Sequence, residues 1–355
     1  MINWWLITLG VALLIQSAGA SVARSSGEVS NKEQEVATLK KRAEAGDPKA
    51  QVQLGIAYAS GNGVAPDESE AAKWFRKAAE KGDSDGEYSL GEMYLTGRGV
   101  SANLTDAAKW MHRAANHGDA RGQFNLAAMY LQGQGVPRDE AEAARWMRKA
   151  ADQGLAAGQF GLGSMYAHGK GVPQSETEAA NWYRKAADQD DPAAMNNLAF
   201  LLATSADPKV HDPKEAIAVA KRAVEVEADN PACLDTLATA YFEAGQPDKA
   251  AETERRALTL KPDDPSYKKA LKKYEAASQH IGTAGGRPLM RRDDFAFVFL
   301  RGGLPSAVFA KGGPPSYLFR GNSLFLPLPV SLNRLNPSNS FHPLDFRPSH
   351  SNDTH

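Results

Sequence analysis

Residues 90–115 read LGEMYLTGRGVSANLTDAAKWMHRAA, and the stretch returns along the chain at a fixed step. Its tryptophan, Trp110, has counterparts at Trp74, Trp146 and Trp182, each 36 residues from the next. The same step separates Tyr58, Tyr94, Tyr130 and Tyr166. It also carries the turns Gly61-Asn62-Gly63-Val64, Gly97-Arg98-Gly99-Val100, Gly133-Gln134-Gly135-Val136 and Gly169-Lys170-Gly171-Val172. Self-similarity at a period of roughly 20–50 residues is the mark of a stacked array, so the repeat decides the fold.

Each unit predicts a helical hairpin. Asp47 is placed to cap the first helix, with Pro48 at its first position, where an N–H would go unbonded anyway. Leu54, Gly55 and Tyr58 then share one face, and Gly55 leaves room for the second helix. Gly91 and Gly163 repeat that device, while Ala127 stands there in the third unit. Gly61-Asn62-Gly63 stops the helix because glycine takes a positive φ without strain, and Val64 covers the hairpin's end. Asp67 with Glu70 is a variant of the capping box; it opens a second helix bearing Ala71, Trp74, Phe75, Ala78 and Ala79. One large ring beside four alanines suits close helices, so Trp74, Trp110, Trp146 and Trp182 are expected to be structural and to fill the gaps between hairpins. A lone hairpin cannot bury both its faces, whereas stacked copies can.

The pattern Ala-x-x-x-Leu-Gly-x-x-Tyr, Gly-x-Gly-Val, Ala-x-x-Trp-(aromatic or Met)-Arg-Lys-Ala-Ala resembles the Sel-one-like subclass of the tetratricopeptide superfamily. The resemblance covers 47–190 as four 36-residue repeats; the second has His112 in the arginine's place and Arg113 in the lysine's. Residues 191–280 resemble two further tetratricopeptide units and a last helix, with Asp191-Pro192 and Asp212-Pro213 opening helices and Asn230-Pro231 opening a 34-residue unit. Asp264-Pro265 begins the last helix, expected to run to about Ser278 and to act as a polar cap through Lys268, Lys269, Lys272 and Lys273. A capping helix is expected over 31–46, with Val36, Leu39 and Ala43 facing the first hairpin. The fold expected is all-α, a right-handed superhelical solenoid.

The two ends differ from this array. Trp4–Ile15 (WWLITLGVALLI) is shorter than the ~20 residues that cross a bilayer; Ala18-Gly19-Ala20 follows it in the small-x-small pattern of a secretory signal, although Met1–Asn3 lacks Lys and Arg. Residues 1–20 are therefore read as a signal peptide. Cleavage after Ala23, or an uncleaved anchor, are the alternatives. From about residue 281 glutamate is absent, lysine falls to Lys311 alone, and eight of the thirteen phenylalanines gather. Residues 281–355 are read as a low-order tail; a shifted reading frame or an envelope-binding segment are the other readings.

Composition narrows the function. With 41 Lys+Arg against 42 Asp+Glu, the chain lacks the basic footprint of a nucleic-acid binder. Cys233 has no second cysteine to pair with and is expected to be a buried structural thiol. The Gly-x-Gly turns follow helices and lack the Gly-Lys-Ser/Thr ending of a phosphate loop. His112 and His117 diverge on a helix, and no ligand set for a metal is completed around them. No catalytic residue, metal or cofactor is expected.

The resemblance implies an adaptor that binds other proteins, through an extended or helical segment, along a concave groove lined by the first helices. Two residues before each Leu-Gly leucine stand Val52, Tyr88, Phe124, Phe160 and Asn196, and two after it Ile56, Glu92, Ala128, Ser164 and Phe200. Five before it come Lys49, Asp85, Arg121 and Ala157. Lys49, Ile56, Tyr88, Glu92, Arg121, Phe124, Phe160, Ser164 and Asn196 are the candidate binding residues, since aromatics and arginine anchor interfaces. The competing reading is that an aromatic there is only this subclass's packing preference. The expected role is an exported, periplasmic or secreted scaffold without a stable membrane span once the signal is cleaved. The alternatives are a glycan-binding envelope protein or, from cysteine-rich relatives whose paired cysteines this chain lacks, a β-lactamase-like enzyme.

Overall fold

The computed structural model describes residues 31–283, and among these every regular element is a helix. Helix α1 spans 31–44. Hairpins follow as α2 (Pro48–Ser60) with α3 (Glu68–Glu80), α4 (Ser84–Thr96) with α5 (Leu104–Asn116), α6 (Ala120–Gln132) with α7 (Glu140–Asp152), and α8 (Ala156–His168) with α9 (Glu176–Ala187). Then come α10 (Pro192–Thr204) with α11 (Pro213–Val226), α12 (Pro231–Glu243) with α13 (Pro247–Leu260), and α14 (Pro265–Thr283), which ends beyond the expected Ser278. Each helix packs on its neighbours in sequence, giving a solenoid. The expectations for residues 1–20, and for the tail from 284 onward, lie outside the described residues.

The caps fall where the sequence places them. Asp47 Oδ1 accepts from the Lys49 and Ala50 amides, and Asp67 Oδ1 from the Glu70 amide; Leu155 opens α8 with no side-chain cap bond. Gly61, Gly97, Gly133 and Gly169 close the first helices at φ 73, 72, 69 and 65°. The second glycine of each turn has a different task. A Cβ on Gly99, Gly135 or Gly171 would stand 2.0, 2.0 or 1.8 Å from the carbonyl oxygen of Glu68, Leu104 or Glu140. Each turn thus lies directly on the first turn of the previous hairpin's second helix, and only glycine allows that approach. Gly63 makes the same kind of contact with the Lys32 carbonyl, so α1 packs on the first hairpin as a second helix would. Val36, Leu39 and Ala43 of α1 pack with Leu54 and Trp74.

Inside the first hairpin, Gly55 lets the Phe75 ring come within 2.6 Å of where a Cβ would be. Trp74, Trp146 and Trp182 are buried, with the Lys77, Lys149 and Lys185 amines 3.6, 3.7 and 3.7 Å from their ring centres. Trp110 is only half-buried and carries the Arg113 guanidinium at 4.6 Å.

Candidate protein-interaction face

From α4 onward, each first helix packs between the second helix before it and its own second helix. In α4 every residue from Gly86 to Met93 is buried. This crowding decides which candidate residues reach the surface. Tyr88 and Phe124 are each 1% exposed and lie in one core cluster with Met111 and Leu126. At these two positions the packing reading holds, and Tyr88 and Phe124 are corrected as surface binding candidates: the residue two before the leucine turns into the stack, where neighbouring helices cover it. Phe160 remains half-buried, its ring 5.7 Å from that of Tyr183.

Three candidates come together. The Arg121 guanidinium lies 4.3 Å from the centre of the Tyr88 ring, 2.5 Å from Asp85 Oδ1 and against Asp119. Tyr88 and Glu92 share a hydrogen bond, and burial pushes the Tyr88 hydroxyl well above its ordinary range. Glu92 is 8% exposed. Burial drives its carboxyl up to about 7, against the pull of Tyr88 and Arg121. Arg121 is thereby held in one orientation by two carboxylates and an aromatic face, with part of its surface open.

The other candidates stand apart. Lys49 is exposed; Ile56 lines a groove of about 540 Å³ between α1 and α2, with Val36, Leu39, Arg42 and Gln53. Ser164 is buried and bonded to Tyr183. Asn196 is half-buried, its Oδ1 shut from solvent without a hydrogen-bond partner among the described residues. Cys233 is buried, and burial followed by the Glu227 carboxylate pushes its thiol up to about 12.

Sequence reasoning missed one polar junction. In two hairpins a glutamine of the first helix bonds both ways: Gln123 to the Ala115 carbonyl and to Gln153, and Gln159 to the Ala151 carbonyl and to Gln189. The second unit has Glu87 at that position, fully buried. Arg113 Nε lies 2.8 Å and His117 Nδ1 2.7 Å from its two oxygens, while Arg113 Nη2 donates to the Ala79 carbonyl at 2.9 Å. The signal was three departures from the 36-residue register within one unit: Glu87, Arg113 and His117.

Comparison with known proteins places these features. The Sel1 repeat pattern matches 48–83, 84–119, 120–155, 156–191 and 192–224, and a tetratricopeptide repeat pattern matches 209–274. The fifth match falls on the first unit read as tetratricopeptide-like. A protective antigen of uropathogenic Escherichia coli displaying an SLR fold is 32% identical, over 67% of this chain and 51% of its own, with a TM-score of 0.60. The present chain thus spans about half the length of that antigen. A Sel1 repeat protein from Oxalobacter formigenes is 35% identical over 55% of this chain and 80% of its own, with a TM-score of 0.51. None of the curated proteins matches the chain.

Proposed function

We propose that this chain, which belongs to the Sel1 repeat family, is an exported scaffold that holds a partner protein on the inner face of its solenoid. The observation that carries the reading is the Arg121 patch. A guanidinium fixed by Asp85 and Asp119 over the Tyr88 ring loses little freedom when a partner binds, and preorganisation of that kind favours affinity. Asp85 at the rim, Glu92 beside Tyr88 and the half-buried Phe160 of the next-but-one first helix would extend the patch along the groove. An extended or helical segment that is apolar with charged edges suits it. Export rests on the Trp4–Ile15 run and Ala18-Gly19-Ala20. Among the described residues no helix is long and apolar enough to cross a membrane.

The test is a paired capture from envelope extract with the native chain and an Arg121→Glu variant. A protein held by the native chain and lost with the variant supports the reading. Equal capture by both places the site elsewhere, and retention of peptidoglycan by both would favour the glycan alternative.

A further inference from the structure

Helix α1 keeps the register of the array it opens. Gln51 Nε2 donates to the Ala43 carbonyl at 3.0 Å, as Gln123 does to Ala115 at 3.1 Å and Gln159 to Ala151 at 3.4 Å. Lys32, under Gly63, stands 36 residues before Glu68, under Gly99. Helix α1 is thus seated as a second helix, yet one flank of it is open. Val36 and Leu39 line the groove of about 540 Å³ from α1, and Gln53 and Ile56 line it from α2. Gln53 is exposed and the other three are half-buried. Thirty-six residues on, the corresponding Ala72, Phe75, Ser89 and Glu92 are 3, 0, 3 and 8% exposed. A first helix covers them there: α2 packs against α3 and α4 and brings Gly55 onto the Phe75 ring. The groove is the place that such a helix would fill.

The chain carries a segment at the matching distance. Residues 12–24, ALLIQSAGASVAR, lie 36 residues before α2. Ala18-Gly19 stand in register with Leu54-Gly55, and Ala23 with Ala59 and Ala167. Residues 25–31 repeat the length of the 61–67 turn; within them Gly27 matches Gly63, and Asn31 matches the cap residues Asp67 and Asn103. Aligned on α8, the segment has a small or apolar residue at every position that α8 buries, from Leu14 at Gly158 to Ala23 at Ala167. Its one charged residue, Arg24, falls at the terminal position of His168. We propose that residues 12–24 form the first helix of a further hairpin with α1 and close the α1–α2 groove. Burial of Leu14, Ile15 and Ala18 in the groove supplies the apolar contact that the open flank lacks, as stacking does for every other hairpin. Cleavage after Ala20 would cut this helix, so the groove is closed in a chain that keeps its leader and open in a processed one.

The test uses the full chain from cell-free translation, its uncut amino terminus confirmed by intact mass, so the result depends neither on export nor on the Arg121 face. The counterparts of Ala18, which are Leu54, Leu90, Leu126 and Leu162, are all 0% exposed, so Ala18→Asp should expel the segment. Hydrogen exchange of the α1 amides should then quicken by about tenfold or more, with α6 unchanged. Equal α1 exchange in the two chains, or an equal rise in α6, overturns the proposal. Should Ala18→Asp not stay soluble, crosslinking serves, in a Cys233→Ser background. A short bismaleimide should join Gly19→Cys to Leu39→Cys within one chain, because Gly55 meets Phe75 at the corresponding positions. It should not join Gly19→Cys to Lys41→Cys, on the far side of α1. Equal joining of both pairs, joining of neither, or a link between two chains overturns the proposal.

Discussion

Replacing Arg113 by alanine strips three contacts from the junction of the second repeat at once. The side chain closes on buried Glu87 at 2.8 Å, donates to the Ala79 carbonyl at 2.9 Å and covers the Trp110 ring at 4.6 Å. What remains is a fully buried carboxylate facing His117 alone. Breaking a buried ion pair from one side costs about 3–5 kcal/mol. Arg113 and His117 are 37% and 48% exposed, so water reaches part of the cluster and the lower end applies. The expected loss is about 3 kcal/mol in urea unfolding followed by tryptophan fluorescence. The triple variant Glu87→Gln, Arg113→Lys, His117→Gln rewrites the junction in the terms of the third and fourth repeats. There a glutamine carries the carbonyl bond and meets a second glutamine at 2.7 or 2.8 Å. That variant should lie within about 1 kcal/mol of the native chain, since paired neutral amides replace paired charges. A triple variant as unstable as Arg113→Ala, or an Arg113→Ala chain of native stability, would refute the idea that these three residues form one substituted unit.

Trp146→Ala should cost about 3–5 kcal/mol by cavity formation, and Trp110→Ala clearly less, because Trp146 is buried and Trp110 only half so; thermal melting compares them. Gly135→Ala should destabilise far more than Gly154→Ala in the same assay. Both have positive φ, which alone costs roughly 1–2 kcal/mol for an L-residue, yet the new methyl would meet the Leu104 carbonyl at 2.0 Å in one and nothing within 4 Å in the other. Glu92→Gln should lessen the fall in stability between pH 4.5 and 7. The folded carboxyl is raised from 4.5 to about 7, so the native state keeps a proton that the unfolded chain releases, and stability drops as pH climbs through that window.

The solenoid was legible because the repeat states each structural requirement four times. Asp47 and Asp67 mark helix starts, the paired glycines mark the turn, and the tryptophan marks the gap. The burial of Tyr88 and Phe124 was not decided by the sequence: an aromatic at a fixed register suits a groove and a core equally, and only the packing of the neighbouring helices separates them. Glu92 and Arg121 could be placed near one face only through the family resemblance, since they stand on different helices. That Arg121 lies on the Tyr88 ring between Asp85 and Asp119 depends on how α4 and α6 pack. Glu87 was readable in principle, as a charged residue in a column that elsewhere holds Gln51, Gln123 and Gln159.

The proposed function turns on whether the face around Arg121 holds a partner. Photo-crosslinking in living cells decides this, with a photoreactive residue placed at half-buried Phe160, in the proposed groove, or at Arg145, whose side chain is 75% exposed on a second helix. The expected result is one discrete adduct with another protein from position 160, lost on adding Arg121→Glu, and none from position 145. Adducts from 145 alone, or adducts from 160 that survive Arg121→Glu, would contradict it.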